Sequence, residues 1–223
     1  MTIPTRSAAA GILLDLDAPP TLIRHMTAVA EIAAFLAERA AARGVPVDRA
    51  LVESAALLHD LDKALAETDP LRRLGHGHAG ARWLREHDHE ELEPAVDSHP
   101  VMRLIAPDAE RWLGRSSLEE RIVAYADKRA AQRLGPLDAR FKRWYDRHPD
   151  HTEGLRLARG RAAELERAIC DAADVDPADV RRLRWVGDAF RAATAARVAA
   201  HEPPHPHHGV QEPLDAFVAD RHR

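Results

Sequence analysis

An all-α fold is expected from three observations. Long stretches rich in Ala, Leu, Arg and Glu favour helix over strand. Apolar residues recur along them at i, i+3/i+4, i+7, the spacing of one helical face. No segment alternates β-branched with polar residues, and no internal repeat is evident.

The elements follow in order. Residues 1–20 form a short N-terminal arm closed by Pro19-Pro20, and Thr21 serves as N-cap for a helix over about 21–43. Its apolar stripe runs Leu22, His25 or Met26, Val29, Ile32 or Ala33, and Leu36, so His25 points inward. Gly44-Val45-Pro46 stops it, and Asp48 caps a second helix in which Val52, Ala56 and His59 share a flank. Asp69-Pro70 reads as an N-cap followed by proline at N1. Helical segments are then expected over 77–87 and 91–98, with a brief one from Asp108 to Trp112. Ser117 and Glu120 have the capping-box spacing, opening a helix to about Gln132 with Val123, Asp127 and Ala130 on one face. Beyond Phe141 the pattern is again helical, with helices over 152–171 and 179–199. Glu202-Pro203-Pro204-His205-Pro206 cannot continue a helix, so 201–223 reads as a flexible tail, with a short docking segment near Leu214–Val218.

Composition narrows the function classes. The chain has 223 residues, 45% of them hydrophobic, enough for a core in one generous domain or a domain with an appendage. A net charge of −4 supplies no global basic field, so nucleic acid is not an expected partner and any phosphate binding must be local. Cys170 is the only cysteine, which excludes an internal disulfide and a zinc–thiolate site. No stretch of about 18 apolar residues occurs, so no membrane association is expected and the cytoplasm is the expected location.

The chemistry concentrates in Leu57-Leu58-His59-Asp60 with Lys63 a helical turn beyond. A His and an Asp side by side can both reach a metal ion, and imidazole with carboxylate but no sulfur suits Fe, Mn, Zn, Co or Ni. His25 and Asp127 also lie on apolar helix faces. A buried carboxylate without a partner costs several kcal/mol, and an inward Asp beside inward histidines is best explained by a shared cation.

The ordered set His25, His59-Asp60, His76, His99, Asp127 resembles the HD superfamily of metal-dependent phosphohydrolases over about residues 20–135. The resemblance implies an HD-domain helical bundle over 21–140, with additional C-terminal helices over 141–200. It implies His25, His59, Asp60 and Asp127 as ligands of one divalent ion, with Asp60 also catalytic as a bridging carboxylate. In binuclear members two more histidines hold a second ion; His76, in His76-Gly77-His78-Ala79-Gly80-Ala81, and His99 match them. His78 is an alternative to His76, which is preferred on its spacing to Gly80. Leu57-Leu58-His59-Asp60 with Lys63, His76 to Ala81, and Ala126-Asp127-Lys128 look most like the subgroup of symmetrically cleaving diadenosine tetraphosphate hydrolases. That subgroup commonly has Thr where Pro100 follows His99. No Gly-Tyr-Pro motif of the cyclic-dinucleotide branch occurs.

The function implied is hydrolysis of a phosphoester or phosphoanhydride bond in a nucleotide or other small phosphorylated substrate, by water activated at two divalent ions. Lys63 reads either as a group that neutralises phosphate charge or as a solvated helix-end lysine. Arg129 and Arg133 read as surface charges or as phosphate contacts, with Arg129 the candidate substrate-binding residue. His87, His89 and the tail histidines read as solvated, and the four tryptophans as packing residues. The competing reading is an HD-shaped regulatory or nucleotide-binding module without turnover. The C-terminal helices either cover the open side of the bundle or form the face of a homo-oligomer.

Overall fold

The computed structural model describes residues 3–201, and among these ten α-helices joined by short 3-10 turns account for the architecture. The one β-like feature among the described residues is an isolated bridge between Ala130 and Leu134. The all-α expectation is therefore correct. No helix among the described residues is long and apolar enough to cross a membrane.

The expected N-terminal arm contains a helix, α1 (Arg6–Asp15), whose N-cap Thr5 accepts a hydrogen bond from the Ala8 N–H at 3.2 Å. Ala9, Ala10 and Leu13 are fully buried, so this segment is part of the core. The long helix α2 (Pro20–Ala42) begins at Pro20, one residue before Thr21. A proline at the first helical position has its φ preset and no N–H to leave unpaired. Eleven residues of α2 are buried, six of them alanines, which lets neighbouring helices approach closely from several sides. Asp48 caps α3 (Arg49–Leu58) through the Leu51 N–H at 3.0 Å. After α4 (His78–Glu86), α5 (Glu93–Ser98) and α6 (Ala109–Arg115), the Ser117/Glu120 capping box opens α7 (Leu118–Arg129).

Helix α7 stops at Arg129, three residues short of the expected Gln132. Ala130 turns to extended backbone, and Arg129 closes the loop that follows: Gly135 N–H donates to Arg129 O, and Arg129 Nε donates to Gly135 O, each at 2.7 Å. The chain then forms α8 (Leu137–Arg147), α9 (Thr152–Ala173) and α10 (Val186–His201). The border expected at 140/141 falls inside α8. Asp176 caps a 3-10 turn (Pro177–Asp179), and α10 starts seven residues later than expected because Leu183 N–H donates to Glu31 O at 3.0 Å. Arg182 reaches the Glu31 carboxylate at 2.8 Å.

One continuous hydrophobic cluster runs from Ala9 on α1 to Ala193 on α10. α2, α3, α5 and α7 pack together at its centre, with α9 closing one side against α2, α7 and α8. The expected tail lies outside the described residues apart from His201, the last residue of α10, and so does the expected segment 214–218.

Candidate metal centre

Six chemistry-bearing side chains from five stretches of chain converge at one end of this central layer. His25 lies in the second turn of α2. His59 and Asp60 occupy the break between α3 and the 3-10 turn Leu61–Ala64. His76 sits between Gly75 and Gly77, both with positive φ, immediately before α4; His99 follows α5; Asp127 lies two residues before the end of α7. Gly77 is required twice over. Its φ of +84° is left-handed, and a Cβ there would stand 2.7 Å from Pro100 Cγ. Pro100 thus packs the loop bearing His76 against the end of α5 that bears His99.

The donor atoms form two groups that share Asp60. On one side Asp60 Oδ2 lies 3.4 Å from His25 Nε2 and 3.6 Å from His59 Nε2, while His25 and His59 are 3.2 Å apart at their Nε2 atoms. Asp127 Oδ1 completes this side at 3.3 Å from His25 Nε2 and 3.9 Å from His59 Nε2. On the other side Asp60 Oδ1 lies 3.4 Å from both His76 Nε2 and His99 Nε2, which are themselves 3.2 Å apart. Ligands bound to one ion at about 2.0–2.2 Å would stand about 3–3.5 Å from each other, so the separations fit the donor set of a divalent cation.

The opposite ring nitrogens fix the tautomers. His59 Nδ1–H donates to Ala56 O at 2.8 Å, and His99 Nδ1–H donates to Val96 O at 2.6 Å. His25 Nδ1–H donates to Ala131 O, and His76 Nδ1–H donates to Asp62 Oδ2 at 3.0 Å. With Nδ1 carrying a proton in each ring, all four Nε2 atoms face the two carboxylates. That is the outer-shell arrangement of metal-ligating histidines.

Electrostatics in the metal-free protein point the same way. His59 is fully buried; burial above all holds its pKa down, to about 3, so its ring stays neutral. For His25, burial opposes the charged form, but the carboxylates of Asp127 and Asp60 outweigh it and raise the pKa to about 9. Burial likewise disfavours charge on Asp60 and Asp127. The surrounding cations and imidazoles win, and both carboxyls lie well below the ordinary carboxylate range. In the absence of a metal, a proton on His25 joins Lys63, Lys128 and Arg140 in offsetting the two carboxylates.

Several residues hold the site in place without having been assigned a role from sequence. Asp62 is buried and orients His76, with its other oxygen, Oδ1, unpartnered. Lys128 is wholly buried, with Nζ donating to His99 O at 2.6 Å and Ala124 O at 3.0 Å and lying 3.5 Å from Asp127 Oδ2. It ties the end of α5 to α7. Arg140 of α8 stands 3.5 Å from Asp127 Oδ1. A sequence signal for Asp62 and Lys128 existed, since each lies within two residues of a candidate ligand. For Arg140 there was none.

The other sequence expectations divide. Lys63 Nζ donates to Asp60 Oδ2 at 2.7 Å and lines the cavity beside it. Arg129 is a correction: it is neither a surface charge nor directed at the metal-facing groups. Two residues along a helix turn a side chain by about 200°, so Arg129 leaves α7 on the far side from Asp127. There it is 6% exposed and donates to Gly135 O, Tyr125 Oη, Glu166 Oε2 and Pro177 O. Arg133, beyond the helix end, does line the cavity. His78 turns away to Asp97 at 2.5 Å, and His87 stacks on Trp83 at 3.7 Å between ring centroids. Trp112 and Trp185 are core residues, Trp83 and Trp144 pack against the core, and Trp144 also borders the cavity. His205, His207 and His208 lie outside the described residues.

A cavity of about 770 Å³ opens over this centre. His25 and Asp60 form part of its floor; Lys63, Arg133, Arg140, Arg143 and Arg147 line it, and Asp60 is its one acidic lining residue. The pairing of a His/Asp floor with a cationic wall is suited to a phosphate group held against a metal ion.

Comparison with known proteins agrees with this site. Residues 22–132, about half of the chain, match the HD domain family, and the chain carries an HD domain over that span. HD domains are mostly those of metal-dependent hydrolases. No curated protein and no solved structure matches the chain.

Proposed function

We propose that this protein is a binuclear metal-dependent phosphohydrolase that cleaves a phosphoester or phosphoanhydride bond of a nucleotide or related small phosphorylated molecule in the cytoplasm. The observation that carries the reading is the two-sided contact of Asp60: one oxygen faces His25 and His59, the other His76 and His99, each at 3.4–3.6 Å. His25, His59, Asp60 and Asp127 would hold one ion, and Asp60, His76 and His99 the second. Two divalent ions supply a water acidic enough to attack near neutral pH and a clamp on phosphate oxygens.

The protein's own groups do the rest. Asp60 and Asp127 keep negative charge at the centre across the neutral range, because their carboxyls stay ionised. Asp62 and the carbonyls of Ala56, Val96 and Ala131 hold the imidazoles in one tautomer and one orientation, while Lys128 anchors the His99 backbone. Lys63 and Arg140, at the rim beside Asp60 and Asp127, orient the phosphate and offset charge that grows on it as the bond breaks. The likeness of Leu58-His59-Asp60 with Lys63 and of Ala126-Asp127-Lys128 to the diadenosine tetraphosphate hydrolases makes dinucleoside polyphosphates the first substrates to try.

The test is a hydrolysis screen of dinucleoside polyphosphates, nucleotides and a generic aryl phosphate with Fe, Mn, Co, Ni or Zn added in turn. At least one substrate is expected to turn over, and Asp60→Ala to abolish turnover while leaving the helical circular dichroism signal in place. A chain that binds these nucleotides but cleaves none of them with any of the metals would instead be a binding module.

A further inference from the structure

We propose that the Arg140–Arg143–Arg147 face of α8 is a polyphosphate-reading surface, which directs the metal centre to substrates bearing a chain of three or more linked phosphates rather than to monoesters. The inference rests on the phosphohydrolase reading above and names its substrate class. These arginines, spaced i, i+3 and i+7, lie on one face of α8 (Leu137–Arg147), and all three line the cavity that holds His25 and Asp60. Arg140 begins the row at the metal-facing end, 3.5 Å from Asp127 Oδ1. The row extends about 10 Å along the helix axis at the ordinary rise per residue, further than a single phosphate can reach.

The pairing pattern separates the two ends of the row. Arg140 is half-buried, set against Asp127 and stacked over the Trp144 ring at 4.7 Å. Arg143 and Arg147 are exposed, as is Arg133 across the cavity, and no carboxylate forms an ion pair with any of the three among the described residues. Five cationic side chains thus face one lining carboxylate in a chain whose net charge is −4. Clustering like charges has a cost that a helix recovers when a polyanion bridges them. The phosphate at the metal centre meets Lys63 and Arg140, and the phosphates linked to it run outward along Arg143 and Arg147.

The experiment titrates full-length protein, metal-loaded and chelator-treated, with inorganic tripolyphosphate and with orthophosphate, by calorimetry at fixed ionic strength. The double variant Arg143→Ala/Arg147→Ala is compared with Arg156→Ala/Arg167→Ala, which removes the same charge from exposed positions on α9. The α8 variant is expected to lose about tenfold or more in tripolyphosphate affinity and less than about threefold in orthophosphate affinity, the discount from a full charged contact reflecting exposure. The α9 variant is expected to change neither. Equal losses for the two ligands, no loss in the α8 variant, or the same loss in the α9 variant would overturn the proposal. Adenosine triphosphate in a parallel titration separates the two sources of such a chain. Affinity close to that of tripolyphosphate assigns the phosphates alone, and affinity about tenfold tighter assigns a nucleoside-bearing molecule. Because the chelator-treated arm needs no metal, loss of the hydrolase reading leaves this comparison readable, and loss of the polyphosphate preference leaves metal binding and hydrolysis untouched.

Discussion

Asp62 is the residue on which the second half of the proposed metal centre turns. Its carboxylate accepts the His76 Nδ1–H at 3.0 Å, and His76 is the most exposed of the proposed ligands, with 40% of its side chain open. Asp62→Ala should therefore weaken metal binding at the His76/His99 side by about 10–100-fold, leaving the His25 side occupied, as read by competitive chelator titration. His25 gives a second prediction at this scale. Its pKa is raised in the metal-free protein from about 6.5 to about 9. The stability its charge contributes is complete below the unfolded value and is lost as pH rises through the folded one. The melting temperature of chelator-treated protein should fall between pH 7 and 9.5, and metal binding at pH 7.5 should release about one proton per chain, which calorimetry in buffers of different ionisation enthalpy measures. A flat melting temperature over that window would contradict the charge assigned to His25.

At the scale of elements, the sequence was most legible where a cap or a breaker marks an end. Asp48, the Ser117/Glu120 capping box and Gly44-Val45-Pro46 place α2, α3 and α7 close to their observed bounds. α1 was not legible as a core element, because a ten-residue segment with three consecutive alanines and Gly11 carries little periodicity. Its burial nevertheless predicts that Leu13→Ala costs about 2–5 kcal/mol of stability, measured by denaturant unfolding; a cost under about 0.5 kcal/mol would return the segment to the status of a loose arm. The role of α8 was not legible for the opposite reason. Its Arg, Lys and Asp residues resemble a solvated face, and only the fold reveals that one side of that face looks into the cavity. The loop before α4 adds a fourth prediction. Gly77→Ala meets both a left-handed φ and a 2.7 Å approach to Pro100, so it should displace His76 and lower metal content while the helical signal persists.

For the molecule as a whole, the candidate ligand set was legible because the His59-Asp60 pair ends an apolar helix, His25 and Asp127 lie on inward helix faces, and the order of the set, with His76 and His99, resembles the HD superfamily. The geometry among them was not readable, since six side chains from five stretches of chain meet only through the packing of α2, α3, α5 and α7. Arg129 marks where spacing should have been followed further: two residues past Asp127 lies the opposite face of α7, and there it binds Glu166 of α9. That network and the Glu31–Arg182 pair join the C-terminal helices to the same core as the HD domain. The central claim is that Asp60 is shared by two ions, and metal content per chain by elemental analysis of untagged protein tests it most directly. About two ions in the parent and about one in His76→Ala/His99→Ala are expected. No bound metal after reconstitution with Fe, Mn, Co, Ni or Zn, or one ion in parent and variant alike, would contradict it.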